Sequence, residues 1–334
     1  MATLLIKLGN TRINEAQLAQ IEAALPDGMD ILFTKDDDEI ARRVEDIELC
    51  AGYFPTHLVK DAVNLRWWQT WSAGVNWLLD HPEWQALPFV LTNASGVHAI
   101  PTTEHIFGMI LMLARQLNHA YKAQLTQTWP GVSFDPNRVT RNDSLFIQDV
   151  FELAGKTMVL IGVGEIGGRT AKIADAFGMH VIGVRRNADR SADGVARMVT
   201  PAELHDVLPL ADIVVSTVPL TAETYHQLNA DSFKLMKNRA IIINVGRGKT
   251  IDEQAMVAAL QNSEIFGAGL DVFEEEPLAA DSPLWTLPNV LVTAHYAGDT
   301  SHYDERALAI FFDNLERYKR GEPLRNVVDK RAGY

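Results

Sequence analysis

Cysteine is nearly absent from these 334 residues: Cys50 is the only one, so no intrachain disulfide forms and a disulfide-stapled scaffold is excluded. Long apolar stretches are missing too. The longest, Ile106 to Ala114, is interrupted only by Gly108 and falls far short of the roughly 20 residues that span a bilayer. Basic residues are scarce, 30 Lys and Arg against 43 Asp and Glu, and the net charge of −13 disfavours non-specific contact with nucleic acid or anionic lipid. No basic leader or cleavage site precedes the strand-like run Leu4 to Leu8. The expectation is a soluble, cytoplasmic protein without nucleic acid or membrane partner and without metal. What is present is an ordinary globular composition, 47% hydrophobic and 22% charged, at a length that suits two domains.

Up to about Asn93, β-type runs (Leu4 to Leu8, Ile31 to Thr34, Leu65 to Trp71, Phe89 to Thr92) alternate with helical stretches such as Glu15 to Leu25. That pattern predicts a small α/β unit with a parallel sheet. Pro101 suits a first helical position before Glu104 to Leu117, a stretch apolar on most faces and so expected to be buried between domains or subunits. Gln124 to Leu153, with Trp129-Pro130-Gly131 and Asp135-Pro136-Asn137, reads as an irregular arm suited to making a homodimer. The acidic run Asp36 to Glu39 reads as a solvated loop or helix start. After Gly155, strands are predicted at Thr157 to Ile161, Val181 to Val184, Ile213 to Thr217, Ala240 to Val245, Ala268 to Val272 and Val290 to Thr293. This is the order of a doubly wound nucleotide-binding sheet. A final helix, Asp304 to Lys319, would pack through Leu308, Phe311, Phe312 and Leu315.

Gly162-Val163-Gly164-Glu165-Ile166-Gly167 follows the first of these later strands and opens a helical segment. Glycines there permit a tight turn and close approach of backbone to a pyrophosphate, which the helix amino terminus attracts. Where an NAD enzyme places an acid to hold the ribose hydroxyls, at the end of the next strand, stand Arg185 and Arg186, with Arg190 nearby. Guanidinium groups bind a 2′-phosphate that a carboxylate would repel. NADP(H) is therefore the expected cofactor, with NAD(H) as the other candidate.

Ligands of open α/β sheets bind beyond the carboxyl ends of the strands. Arg247, Asp271, Glu276 and His295 all fall at or just past such ends. An arginine can hold a substrate carboxylate and polarise its carbonyl, and an imidazole can exchange the proton that accompanies hydride transfer. A carboxylate on the second ring nitrogen would orient that imidazole. A lone histidine is more often structural; the three types together suit reduction of a 2-keto acid.

These residues resemble the D-isomer-specific 2-hydroxyacid dehydrogenases, whose three signature regions are similar to Ile241 to Gly248, Gly267 to Pro277 and Leu287 to Gly298. The resemblance implies two doubly wound α/β domains: a Rossmann NAD(P)-binding domain over residues 100–299 and a smaller, flavodoxin-like substrate domain from 1–99 and 300–334. It implies an active site in the cleft between them. It makes Arg247, Glu276 and His295 the catalytic residues and sets Asp271 at the nicotinamide end of the cofactor. The cofactor contacts assigned with it are Gly162, Gly164, Glu165, Ile166, Gly167, Arg185, Arg186, Asn187, Val218, Pro219, Thr224, Val245, Gly246, Arg247, Asp271, His295, Ala297 and Gly298. Ser72 to Asn76 is similar to the family's substrate loop, in which the Ala73 and Gly74 amides would receive the carboxylate, with Tyr53, Phe54 and Tyr296 facing the substrate.

Departures from the pattern sharpen the expectation. Ala294 stands where the family usually has proline, and Glu276 rather than glutamine speaks against the formate dehydrogenase branch. The chain ends at Tyr334 without a regulatory extension, unlike the long phosphoglycerate dehydrogenases. The first 100 residues carry 7 basic against 14 acidic side chains, which disfavours a phosphorylated substrate. Glyoxylate, hydroxypyruvate and aromatic or branched keto acids stay open; Trp67, Trp68 and Trp71 are read as core rather than pocket. The competing function is a dinucleotide-sensing binding protein resembling the transcriptional corepressors that share this fold.

Overall fold

The computed structural model describes residues 2–8, 13–129, 131–133, 144–146 and 150–333. The chain forms two compact units, one from Met1–His98 with Thr300–Tyr334, the other from Ala99–Asp299.

In the first unit β1 (Thr3–Lys7), α1 (Glu15–Ala24), β2 (Asp30–Phe33), α2 (Asp37–Arg42), β3 (Ile47–Gly52), β4 (Trp67–Gln69) and β5 (Val90–Thr92) build a five-stranded parallel sheet in the order β2-β1-β3-β4-β5. This is the flavodoxin-like order. Both faces are covered, so successive residues of one strand enter different cores. Leu5, Cys50 and Trp68 face one, Leu4, Leu49 and Trp67 the other. β3, absent from the expected strands, carries Glu48, Ala51 and Gly52, which have little β preference; its central place in the sheet decides its conformation. Trp67, Trp68 and Trp71 are all buried in the core. The acidic run starts α2, with Asp36 capping through the Asp38 amide.

The second unit opens with α3 (Ala99–Ala114) and α4 (Leu117–Leu125). The helix expected over Glu104 to Leu117 is thus two helices, broken where Gln116 takes the left-handed conformation. Pro101 is its third residue rather than its first, a position whose N–H has no intrahelical partner either. Ile106, Phe107, Met109, Ile110 and Leu113 join this unit's own core. Of the expected irregular arm, Gln124 and Leu125 complete α4, β6 (Gly131–Ser133) pairs with β7 (Ser144–Phe146), and residues 130, 134–143 and 147–149 lie outside the described residues.

There follow β8 (Thr157–Ile161), α5 (Glu165–Ala176), β9 (His180–Val184), β10 (Arg197–Val199), α6 (Leu204–Val207), β11 (Ile213–Ser216), α7 (Ala230–Leu235), β12 (Ile241–Asn244), α8 (Glu253–Gln261), β13 (Gly267–Leu270) and β14 (Val290–Val292). Seven of these strands form a parallel sheet ordered β10-β9-β8-β11-β12-β13-β14, a Rossmann arrangement extended by one strand. Their register brings the strand ends level. Ile161 pairs with Val184 and with Ser216, Ser216 with Asn244, Asn244 with Leu270 and Leu270 with Val292. The loops after six strands consequently leave the sheet along one rim.

Returning to the first unit, α9 (Tyr303–Arg320) buries Leu308, Phe311 and Leu315, while Phe312 is only partly buried. Trp67 stacks on Phe311 with ring centres 5.6 Å apart. Buried Asn314 on α9 donates to Gln69 Oε1 (3.1 Å) and accepts from the Arg325 amide (2.7 Å), so the helix and the following tail are fixed polar group by polar group. That tail runs beside β5: the Val328 amide donates to Leu91 and the Asn93 amide to Asn326. Among the described residues no helix is long and apolar enough to cross a membrane.

Candidate active site

Near the middle of this rim, the turn between β8 and α5 is built by glycine. Gly162 has a φ of +93°, and a Cβ on Gly167 would lie 2.1 Å from the Gly162 carbonyl oxygen. Only hydrogen fits, which brings α5 against the turn. Gly164 caps α5 without a side-chain hydrogen bond, and a Cβ there would meet nothing within 4 Å. The amino terminus of a twelve-residue helix is thereby left open beside Glu165 and Ile166, a cradle that fits a dinucleotide pyrophosphate. Thr217, which sequence reasoning passed over, donates its hydroxyl to the Gly162 carbonyl (2.9 Å) and ties the turn to β11.

After β9 come Arg185, Arg186 and Asn187. Arg185 is partly exposed and has no ion pair among the described residues. Arg186 is held otherwise: its Nε and Nη2 both donate to Glu223 Oε2, at 3.1 and 2.8 Å. The two expected phosphate ligands are therefore unequal, since one guanidinium already faces a carboxylate on the loop after β11. In that loop Thr224 donates to the Pro219 carbonyl (2.7 Å), and Val218 lies against Gly246 of the next loop.

Arg247 follows β12 through Val245 and Gly246. Asn244 brackets this turn, accepting from the Gly246 amide and donating to the Arg247 carbonyl, both at 3.1 Å. The guanidinium is half-buried and donates to the Gly246 carbonyl at 2.7 Å. Burial pulls its pKa down, and the charge of Glu276 opposes that pull. Glu276 in turn accepts the Phe273 amide on Oε1 (3.0 Å) and sets Oε2 2.6 Å from His295 Nδ1. Next to a carboxylate Nδ1 carries the proton and donates it, which turns Nε2 outward as the exchangeable position. The Glu276–Pro277 peptide bond is cis.

His295 has a φ of +53°, the left-handed region that side chains other than glycine seldom adopt. Asp271, 2% exposed at the end of β13, is the hub of its turn. Its carbonyl accepts the His295 amide (2.9 Å); its carboxylate accepts the Tyr296 amide (3.1 Å), the Ala297 amide (3.0 Å) and the Thr293 hydroxyl (2.6 Å). Gly298 ends the segment. Asp271 is thus engaged chiefly by its own chain. His105 on α3, a polar residue in an apolar helix and not singled out in the sequence, lies 3.0 Å from the Thr293 hydroxyl.

The expected substrate contacts divide. Tyr53 and Tyr296 are exposed, whereas Phe54, expected to face the substrate, is 4% exposed and packs on Trp68 in the core of the first unit. In the Ser72 turn the Ala73 carbonyl is taken by Asn93 (2.9 Å) and the Gly74 carbonyl by the Ser72 hydroxyl. Neither the Ala73 nor the Gly74 amide has an acceptor among the described residues.

Residues 107–297 match the family model for the NAD-binding domain of D-isomer specific 2-hydroxyacid dehydrogenases. The chain is 35% identical over 246 residues to a glyoxylate reductase of Pyrococcus furiosus, covering 73% of this chain and 68% of that protein. Among solved structures it resembles a D-isomer specific 2-hydroxyacid dehydrogenase from Xanthobacter autotrophicus, in complex with NADPH and MES, with a TM-score of 0.79, 27% identity and 100% and 99% of the two chains covered. It resembles equally an NADPH-dependent glyoxylate/hydroxypyruvate reductase from Sinorhizobium meliloti in complex with NADP and sulfate, with a TM-score of 0.76, 26% identity and both chains fully covered.

Proposed function

The chain belongs to the D-isomer-specific 2-hydroxyacid dehydrogenase family, NAD(P)-dependent oxidoreductases, and from that premise we propose that it reduces small 2-keto acids to D-2-hydroxy acids with a preference for NADPH. The observation that carries the reading is the His295–Glu276 pair, 2.6 Å apart, on the same sheet rim as Arg247 and the glycine turn. The reduced nicotinamide, when bound, supplies the hydride. Arg247 pairs with the substrate carboxylate and polarises the carbonyl, and its partial burial strengthens both interactions. His295 delivers the proton from Nε2 to the carbonyl oxygen, and Glu276 stabilises the imidazolium that precedes delivery. In the oxidative direction the same nitrogen takes the hydroxyl proton.

Gly162, Gly164 and Gly167 are assigned to the pyrophosphate, and Arg185, with no competing carboxylate among the described residues, to the 2′-phosphate. Glu165, Ile166, Asn187, Val218, Pro219, Thr224, Val245, Gly246, Ala297 and Gly298 complete the assigned cofactor contacts. The Ala73 and Gly74 amides, without acceptors among the described residues, are assigned to the carboxylate, and the exposed Tyr53 and Tyr296 to the substrate side chain. Glyoxylate is favoured, since glyoxylate reductases stand among the relatives. A cytoplasmic location belongs to the same proposal, supported by the single cysteine. A homodimer is supported by Leu117, Tyr121 and Leu125, spaced four residues apart along α4 and each more than half exposed.

The decisive experiment is the initial rate of cofactor oxidation with glyoxylate, hydroxypyruvate, pyruvate and phenylpyruvate, each with NADPH and NADH. Turnover, fastest with NADPH, is expected. Protein that binds NADPH yet turns over none of the four would move the reading to a dinucleotide sensor.

A further inference from the structure

Three groups of the second unit meet between α3 and the turn after β14. His105 Nε2 lies 3.0 Å from Thr293 Oγ1, and that hydroxyl donates to Asp271 Oδ1 at 2.6 Å. A hydroxyl owns one proton. With that proton committed to the carboxylate, Thr293 can only accept from His105, so His105 must carry its hydrogen on Nε2. Direction therefore runs one way, from imidazole to hydroxyl to carboxylate, and the last of these bonds is charge-assisted and the stronger.

The end of this relay does more than neutralise itself. Oδ1 of Asp271 also accepts the Tyr296 amide and Oδ2 the Ala297 amide, which wraps the turn around the carboxylate with His295 in its positive-φ conformation. The Tyr296 ring meets the edge of the His105 ring at 89°, with centres 5.5 Å apart. His105 thus touches both the anchor of the proton-transferring residue and the exposed aromatic beside it. Its side chain is 17% exposed, and burial pulls its pKa down against the raising effect of Asp271.

We propose that His105 is a positioning residue for the His295 turn, acting through Thr293 and Asp271 and touching neither substrate nor the transferred proton. The proposal rests on the dehydrogenase reading for its kinetic test and is independent of it for its spectroscopic one. A turn held in a strained conformation by one carboxylate loses its aim when the Thr293 hydroxyl, no longer held by His105, is free to turn away from that carboxylate, and misplacement by a fraction of an ångström lowers kcat while leaving binding intact.

His105→Leu keeps the volume and removes the donor; kcat is expected to fall on the order of tenfold, with the KM for the keto acid and the Kd for NADPH unchanged. His105→Gln, whose amide nitrogen reaches where Nε2 stood, is expected to restore most of the rate. Thr293→Val interrupts the relay at its middle, and the His105→Leu/Thr293→Val double variant should be no slower than Thr293→Val alone. Wild-type kcat in His105→Leu, or losses that multiply in the double variant, would overturn the proposal. Nitrogen-15 NMR of the labelled wild type at neutral pH reads the tautomer without any turnover: a neutral ring protonated at Nε2 is expected, and protonation at Nδ1 would refute the relay. An inactive wild type with the expected tautomer would count against the dehydrogenase reading alone.

Discussion

Glu276 divides its two oxygens between a backbone and a side chain, Oε1 on the Phe273 amide at 3.0 Å and Oε2 on His295 Nδ1 at 2.6 Å. The first bond fixes the carboxylate so that the second can orient the ring. Glu276→Gln keeps the shape but removes the charge that stabilises an imidazolium, and kcat should fall about 100-fold. His295→Ala should lose about 1,000-fold with NADPH affinity retained, which fluorescence titration of the cofactor measures alongside steady-state rates.

Arg247→Ala should damage binding and turnover together, because the guanidinium is assigned to both the carboxylate and the carbonyl. A loss in kcat/KM of roughly two to three orders of magnitude is expected. Arg247→Lys should recover little of it, since a point charge cannot reproduce a bidentate fork. Steady-state kinetics with glyoxylate separates the two parameters.

Cofactor choice should respond to two positions in opposite senses. Arg185→Asp is expected to lower the NADPH to NADH ratio of kcat/KM by at least about tenfold. Glu223→Gln removes the carboxylate charge that Arg186 now faces and should tighten NADPH binding by about two- to fivefold, the worth of a surface pair. An unchanged ratio in Arg185→Asp would place the phosphate elsewhere.

Asp30 joins two parts of the first unit, accepting the Thr3 hydroxyl and the Arg43 guanidinium, each at 2.7 Å. Burial alone would raise its pKa; the hydrogen bonds and the positive charge outweigh it and hold the carboxyl below its ordinary 3.8. A depressed value in the folded state gives stability that is full above the unfolded pKa and is lost as pH falls through the folded one. Thermal melts of wild type and Asp30→Asn should therefore differ at neutral pH and converge as the pH drops below about 4.

The glycine turn was legible because strand, glycines and helix are contiguous, and each glycine answers a local demand for space. Arg247 and His295 were legible for a related reason: a parallel sheet sends its strand ends to one rim, so polar residues at those ends meet wherever they sit in the chain. Sequence spacing gave no hint of His105, which reaches Thr293 across 188 positions from a helix otherwise apolar. Nor did it show that Glu223 would claim Arg186, a pairing made by two loops of adjacent strands. Tyr53 and Phe54 are neighbours of one aromatic type after β3, and the turn at Gly52, with a φ of +108°, is what leaves one out in solvent and the other in the core. Binary pattern cannot decide between two consecutive hydrophobic residues outside a regular element.

The order in which the chain leaves the ribosome matters for a unit assembled from both of its ends. Every strand of the first sheet emerges before residue 99, yet the helix that stacks Phe311 on Trp67 and the tail that pairs with β5 emerge only after residue 299. In between, Trp67 of the nascent sheet lacks the Phe311 and Tyr318 rings that stack on it, while the second unit has its whole sequence available and can complete its fold first. During that interval the early sheet is the part of the molecule most exposed to chaperones and to aggregation.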